Sequence, residues 1–172
     1  MTNDFIPVDY RAPADNPYMK FGDGANKFRF LSKPIFGMVY WVGEGETRAP
    51  HRKRMGEVIP ALGMNKFGKQ ETAKHFWAAV VWSYEDKQIQ ILEITQKTVI
   101  ASIADLARND EWGDPRGYDL LVTRSGEGLK TEYKVMPYPA KPIAPEIDAE
   151  FKSMNVHLEA LYVGQDPFNG SC

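Results

Sequence analysis

Cysteine is nearly missing from this chain of 172 residues: a single thiol, Cys172, stands at its last position. One thiol excludes an intrachain disulfide framework and any cysteine-based zinc site, and it accords with a reducing compartment. Long apolar runs are missing too. The longest, such as residues 78–82, fall far short of the roughly 18 residues that a membrane span requires. Met1-Thr2-Asn3-Asp4 has no basic-then-apolar leader, so the expectation is a cytoplasmic protein that touches no membrane. Catalytic signatures are equally scarce, with no G-x-S-x-G, H-E-x-x-H, C-x-x-C or G-x-x-x-x-G-K-S/T. The three histidines, His51, His75 and His157, are scattered. Asp110, Glu111, Asp114 and Asp119 form an acidic stretch, but without the D-x-D-x-D-G order of a calcium loop a solvated loop is the preferred reading. The expectation is therefore no catalysis, no cofactor and no metal.

Strong charge of one sign is absent only on average. The chain carries 21 basic and 23 acidic residues, a net charge of −2. Residues 25–75 nevertheless hold ten basic side chains against four acidic ones, a local excess of +6. Residues 144–172 hold five acids against Lys152 alone. Local field, and not net charge, steers an anionic ligand, so a basic half beside an acidic end points to a polyanion partner.

The chain divides into an arm over residues 1–24, a β-rich domain over 25–143 and an acidic helix and tail over 144–172. Pro, Asp, Asn and Gly crowd the arm without apolar periodicity. Phe28, Phe30, Ile35 and residues 38–42 read as two strands or one bent strand, interrupted at Lys33-Pro34. Residues 43–74 are rich in glycine and basic side chains and read as one long loop, the kind that is commonly functional. Residues 75–84 and 89–94 form a hairpin pattern. Thr95 is positioned to cap a helix whose apolar residues Val99, Ile100, Ile103 and Leu106 repeat at helical spacing. A second hairpin follows over 118–124 and 129–136. Four prolines then mark a linker, and Phe151, Met154, Leu158 and Leu161 define a C-terminal amphipathic helix. This order predicts a mainly β fold, an OB-like barrel, closed or partly open, with one inserted amphipathic helix and a C-terminal helix; an open antiparallel sheet with one helix is the alternative.

Single strands of nucleic acid are held by aromatic faces that stack bases and by lysine and arginine that follow phosphates. Both residue types interleave here. Strand alternation puts Phe28 and Phe30 on one face and Lys27 and Arg29 on the other, so Arg29 is a candidate for reaching phosphate. Among the strand aromatics, which include Tyr133, Trp41 and Trp77 are the first candidates for stacking, with burial in the core as the competing role. Arg48, Arg52, Lys53, Arg54, Lys66, Lys69 and Lys74 are candidates to line the groove.

Several stretches together resemble the single-stranded-DNA-binding proteins of tailed phages. They are Asn26-Lys27-Phe28-Arg29-Phe30-Leu31-Ser32, the segments 74–82 and 89–98, Trp112-Gly113-Asp114-Pro115, Tyr118-Asp119-Leu120 and residues 126–133. The likeness covers about residues 20–143. It implies an OB fold that coats single-stranded DNA during phage replication or recombination, in the host cytoplasm, without sequence preference and without enzymatic activity. The zinc-binding cysteines of some relatives are absent, so no metal carries over. Many members end in a strongly acidic tail that recruits replication or recombination proteins; here residues 165–172 hold one acid, Asp166. Either the acidic segment near 146–159 takes that role, or the chain is shortened, or the tail function is missing. Two rivals stand beside this reading: a non-catalytic protein-interaction or assembly module, and a metal-dependent nuclease using the acids between 110 and 119.

Overall fold

The computed structural model describes residue 5 and residues 17–168; most of the expected arm, and Cys172, lie outside them. The strands are β1 (Tyr18–Met19), β2 (Gly24–Phe30), β3 (Ile35–Val42), β4 (Ala49–Arg54), β5 (Lys74–Ser83), β6 (Gln88–Ile94), β7 (Leu120–Ser125) and β8 (Glu132–Pro137). The helices are α1 (Lys97–Arg108) and α2 (Pro145–Met154), followed by a 3-10 helix over Leu158–Val163. The fold is mainly β, with an inserted amphipathic helix and a C-terminal helix. All eight strands join one sheet in the order β1-β6-β5-β2-β7-β8, with β3 on β5 and β4 on β3. The sheet does not close, and β1, β4 and β8 are its edges.

The sheet forks along β5. Its first half pairs with β3, from Val39 opposite Lys74 to Ile35 opposite Ala78. Its second half pairs with β2 on the same edge, from Phe30 opposite Val81 to Phe28 opposite Ser83. Pro34 has no backbone donor and cannot continue a ladder, so the chain breaks at residues 31–34. Ser32 fills the gap, its Oγ accepting from Val80 N at 2.9 Å, while Leu31 N donates to Val80 O at 2.8 Å. The two strands expected before and after Lys33-Pro34 thus form as one interrupted edge.

Two apolar clusters hold the sheet from its two faces. Phe28, Phe30, Ala79, Val81, Leu92, Ile94, Leu120 and Val122 pack with Val99 and Ile103 of α1. Each such aliphatic side chain contributes roughly 1.5–3 kcal/mol by leaving water, which anchors a helix that has no side-chain cap. Its N-cap is Gln96 and not the expected Thr95. On the opposite face Val39, Phe76, Ala78 and Ile91 are covered by Leu161, with Leu158, Tyr162 and Phe168 around it. The acidic C-terminal segment is therefore packed on the sheet along its 3-10 helix, and Tyr162 Oη donates to Phe36 O at 2.6 Å. The single helix expected through Leu161 is instead two pieces. Asn155 takes a left-handed conformation at φ 51° and ends α2, a conformation asparagine tolerates better than most residues.

Residues 43–74, expected as one loop, contain β4, which pairs with β3 from Gly37 opposite Arg54 to Val42 opposite Ala49. Its consecutive basic side chains, His51 to Arg54, concealed a strand whose apolar signal is weak. Gly37 is needed where β3 passes β4, since a Cβ there would strike Lys53 O and the Phe76 ring. Among the described residues no helix is long and apolar enough to cross a membrane.

Candidate nucleic-acid interface

A cleft of about 880 Å³ opens between the end of β3 and the loop before β5, with Val39, Trp41, Arg48, Met64, Phe67 and Lys74 in its wall. Register explains the grouping. Val39 lies opposite both Arg52 and Lys74, and Trp41 lies opposite Pro50, so these side chains share one sheet face. The β3–β5 ladder stops at Val39 opposite Lys74, the first residue of β5, and Trp41 beyond it stays 46% exposed. The Arg48 guanidinium stands 5.6 Å from the Trp41 ring centroid and is held by Glu71, Nη2 to Oε1 at 2.9 Å.

The opposite wall is a small turn of the chain. Met64 bridges to Gln70. Asn65 Oδ1 accepts from Phe67 N at 2.8 Å and from Lys69 N at 3.0 Å, an arrangement in which asparagine replaces a backbone acceptor. The turn pushes Phe67 outward, 75% exposed, with Lys66 Nζ 5.1 Å from its centroid. Two accessible rings thus face one cleft lined by Arg48, Lys66 and Lys74, with Glu44 and Glu71 as the acids in its wall. Rings of this kind take planar apolar ligands, and the cations beside them take anions.

The residues singled out in the sequence are divided by the structure. Trp41, Arg48, Lys66 and Lys74 line the cleft, and Lys69 is exposed in the turn behind Phe67. Arg52 and Arg54 project from the same sheet face but are engaged. Arg52 Nε donates to Glu93 at 2.7 Å, and Arg54 Nη2 donates to Glu159 at 2.7 Å with its guanidinium 4.3 Å from the Tyr162 ring centroid. Lys53 pairs with Met38 and Trp77 with Phe36, which puts both on the other face. Trp77 is half-buried against the core beneath α1 and meets Phe36 edge-on at 5.4 Å. Tyr133 packs on the same core, 6.1 Å from the Phe21 ring.

Arg29, a candidate for reaching phosphate, is buried instead. It is 1% exposed, its Nε donates to Arg116 O at 2.8 Å, its Nη2 to Lys141 O at 2.6 Å and its Nη1 to Asp119 Oδ1 at 3.3 Å. Alternation did place it opposite Phe28 and Phe30, but that face is covered here by residues 116–119 and 141, so the charge serves the fold. Burial raises the pKa of Asp119, yet contacts from Tyr84, Lys141 and Arg29 outweigh it and hold the carboxyl below its usual range. Tyr84, partly buried and donating to Asp119 Oδ1 at 2.8 Å, is pushed up to about 12. Asp114 caps the turn at Arg116 and pairs with that guanidinium at 2.6 Å. Among the described residues no three His, Cys, Asp or Glu side chains converge on a point where an ion could sit.

Phe67 is the residue that sequence reasoning passed over. Its signal was the turn Asn65-Lys66-Phe67-Gly68, which no core strand could contain and in which Gly68 takes φ 75°. No family model matches the chain, and no curated protein or solved structure matches it.

Proposed function

We propose that the chain binds single-stranded DNA without reading its sequence, as a non-catalytic coating protein of phage replication or recombination. The observation that carries this reading is the cleft in which Trp41 and Phe67 are exposed between Arg48, Lys66 and Lys74. Bases stack on such rings whatever their identity, and the cations hold the backbone. The sequence resemblance over residues 20–143 supports the same reading and supplies the choice of DNA and the phage setting. The acidic C-terminal segment is the candidate surface for replication or recombination proteins, and part of it is already spent on Arg54 through Glu159.

Titration of intrinsic tryptophan fluorescence with a fluorophore-free dT30, at several salt concentrations and against a duplex of equal length, tests it. The expected result is strong quenching by the single strand, little by the duplex and a steep loss with salt. Absence of quenching at low salt refutes the reading. One observation favours a second reading, a protein-docking module: Met55, Val58, Met64 and Phe67 are all more than half exposed within one loop, and apolar clusters of this kind mark protein contacts. That reading predicts weak, salt-indifferent DNA binding.

A further inference from the structure

A second concentration of positive charge lies on the cleft's sheet face, at the far end of β5. Lys74 starts that strand and Tyr84 follows its last residue, about 33 Å further along at 3.3 Å per residue. Tyr84 N donates to Lys27 O at 3.2 Å, and the Lys27 side chain rises between two tyrosines. Its Nζ lies 4.6 Å from the ring centroid of Tyr84 and 4.6 Å from that of Tyr138. The carboxylate beneath is Asp119, fully buried, with Lys141 Nζ at 3.1 Å and Lys27 Nζ at 3.8 Å from Oδ2. Attraction between opposite charges draws both ammonium groups to Oδ2, with Lys141 the nearer.

The charges around this point do not balance. Arg29, Lys27 and Lys141 all face the one carboxylate of Asp119, while Arg116 nearby is neutralised by its own Asp114. Two positive charges are left over. Arg29 is buried beneath, so the surplus is presented by Lys27 and Lys141, whose side chains are 34% and 54% exposed. Two ammonium groups drawn to one oxygen repel each other, and an anion that bridges them from the solvent side relieves that repulsion. The tyrosine rings fix the Lys27 head in place, which lowers the entropy cost of its contact with such an anion.

We propose that Lys27 and Lys141 form a phosphate-binding subsite, walled by Tyr84 and Tyr138, that takes a backbone phosphate of the single strand after it leaves the cleft. The subsite rests on the nucleic-acid reading of the cleft and extends it past the C-terminal segment that covers β5 at Phe76 and Ala78, over which the single strand must pass. It makes the occupied track longer than the cleft alone, and it assigns a ligand role to two lysines whose spacing in the sequence, Lys27 to Lys141, carries no motif.

The test is dT30 titration across salt for the wild type, for Lys27→Gln/Lys141→Gln, and for Lys97→Gln/Lys130→Gln as a charge-matched control. Each phosphate contact to a single strand adds about 0.7 to the slope of log affinity against log salt. The double subsite variant is expected to lose about 1.4 of slope and to bind about 25-fold more weakly at 0.1 M salt, on the same scale. The control variant keeps its slope. Because Lys27 also packs between rings, Lys141→Gln alone provides a milder variant with about half the slope loss, and thermal melts show that each protein is folded. A second arm follows the ring resonances of Tyr84 and Tyr138 by NMR as inorganic pyrophosphate is added. Saturable shifts in the wild type that vanish in the double variant support the subsite independently of DNA. If dT30 binds the wild type and the slope is unchanged in both lysine variants, the subsite is wrong and the cleft reading stands. If the wild type does not bind dT30 while pyrophosphate still moves the tyrosine resonances, the cleft reading fails and the anion subsite survives without its nucleic-acid ligand.

Discussion

Replacing Arg29 by methionine separates a structural cation from a ligand-binding one. The guanidinium is 1% exposed and donates to Arg116 O, Lys141 O and Asp119 Oδ1. Methionine fills much of the volume but leaves two carbonyls without that donor and removes one of the cations facing a fully buried carboxylate. Breaking a buried ion pair from one side costs about 3–5 kcal/mol. The remaining partners of Asp119, Tyr84 at 2.8 Å and Lys141 at 3.1 Å, place the expected loss at the lower end, about 3 kcal/mol. For a chain of this size about 2–4 °C of Tm accompany each kcal/mol, so the midpoint of thermal unfolding should fall by roughly 6–12 °C. Scanning calorimetry or circular dichroism at neutral pH measures it. Below that midpoint, dT30 binding should persist, with a salt slope reduced by no more than the share of one phosphate, about 0.7, because Arg29 positions the backbone of Lys141. A variant that melts with the wild type and loses most of its DNA affinity would refute the structural assignment of Arg29.

Trp41→Ala should weaken dT30 binding by about 1–3 kcal/mol with little change in Tm. Trp77→Ala should do the reverse, lowering Tm while leaving affinity in the folded protein unchanged, because its ring packs against the core beneath α1; equal effects of the two substitutions on affinity would contradict the assignment. Leu161→Ala, at a side chain 5% exposed among Val39, Phe76, Ala78 and Ile91, should cost about 2–5 kcal/mol in denaturant unfolding. An unchanged midpoint would mean that the C-terminal segment does not stay on the sheet. The pH dependence has two limbs. The Tyr84 phenol, pushed up to about 12 from 10.0, contributes stability that is full below pH 10 and is lost as pH rises toward 12. Asp119, held below 3.8, contributes stability that is present above that value and lost as pH falls below it. Tyr84→Phe should flatten the alkaline limb, and phenolate absorbance near 295 nm should show one fewer late-titrating tyrosine.

Local pattern carried much of the architecture. The apolar alternation of residues 75–84 and 89–94 appears as the β5–β6 pair, and the 3.6-residue spacing of Val99, Ile103 and Leu106 appears as α1. Pro34 marked the break between β2 and β3 because a missing N–H is a property of the residue itself. β4 was concealed because His51-Arg52-Lys53-Arg54 is an unbroken basic run without apolar alternation, and only its pairing with β3 shows it as a strand. The division of α2 from the 3-10 helix was hidden for a related reason. Phe151, Met154, Leu158 and Leu161 keep helical spacing, but Asn155 takes a left-handed conformation that ends α2, and Leu161 and Tyr162 beyond it pack on Phe76.

The site divides along the same line. Residue type and charge distribution alone located a basic stretch that also carries aromatics in residues 25–75, since net charge and aromatic content are additive along a chain. Which of those groups reaches solvent was decided by tertiary structure. Alternation is relative, so it could put Lys27 and Arg29 on one face but not say that residues 116–119 and 141 would cover Arg29 and leave Lys27 at the surface. Register put Trp41 beside Lys74 and sent Trp77 to the opposite face. Phe67 became a cleft wall only because the chain returns to pair Met64 with Gln70. A side chain's availability depends on what long-range contacts bury, and those contacts are made by parts of the chain that its neighbours in sequence do not describe.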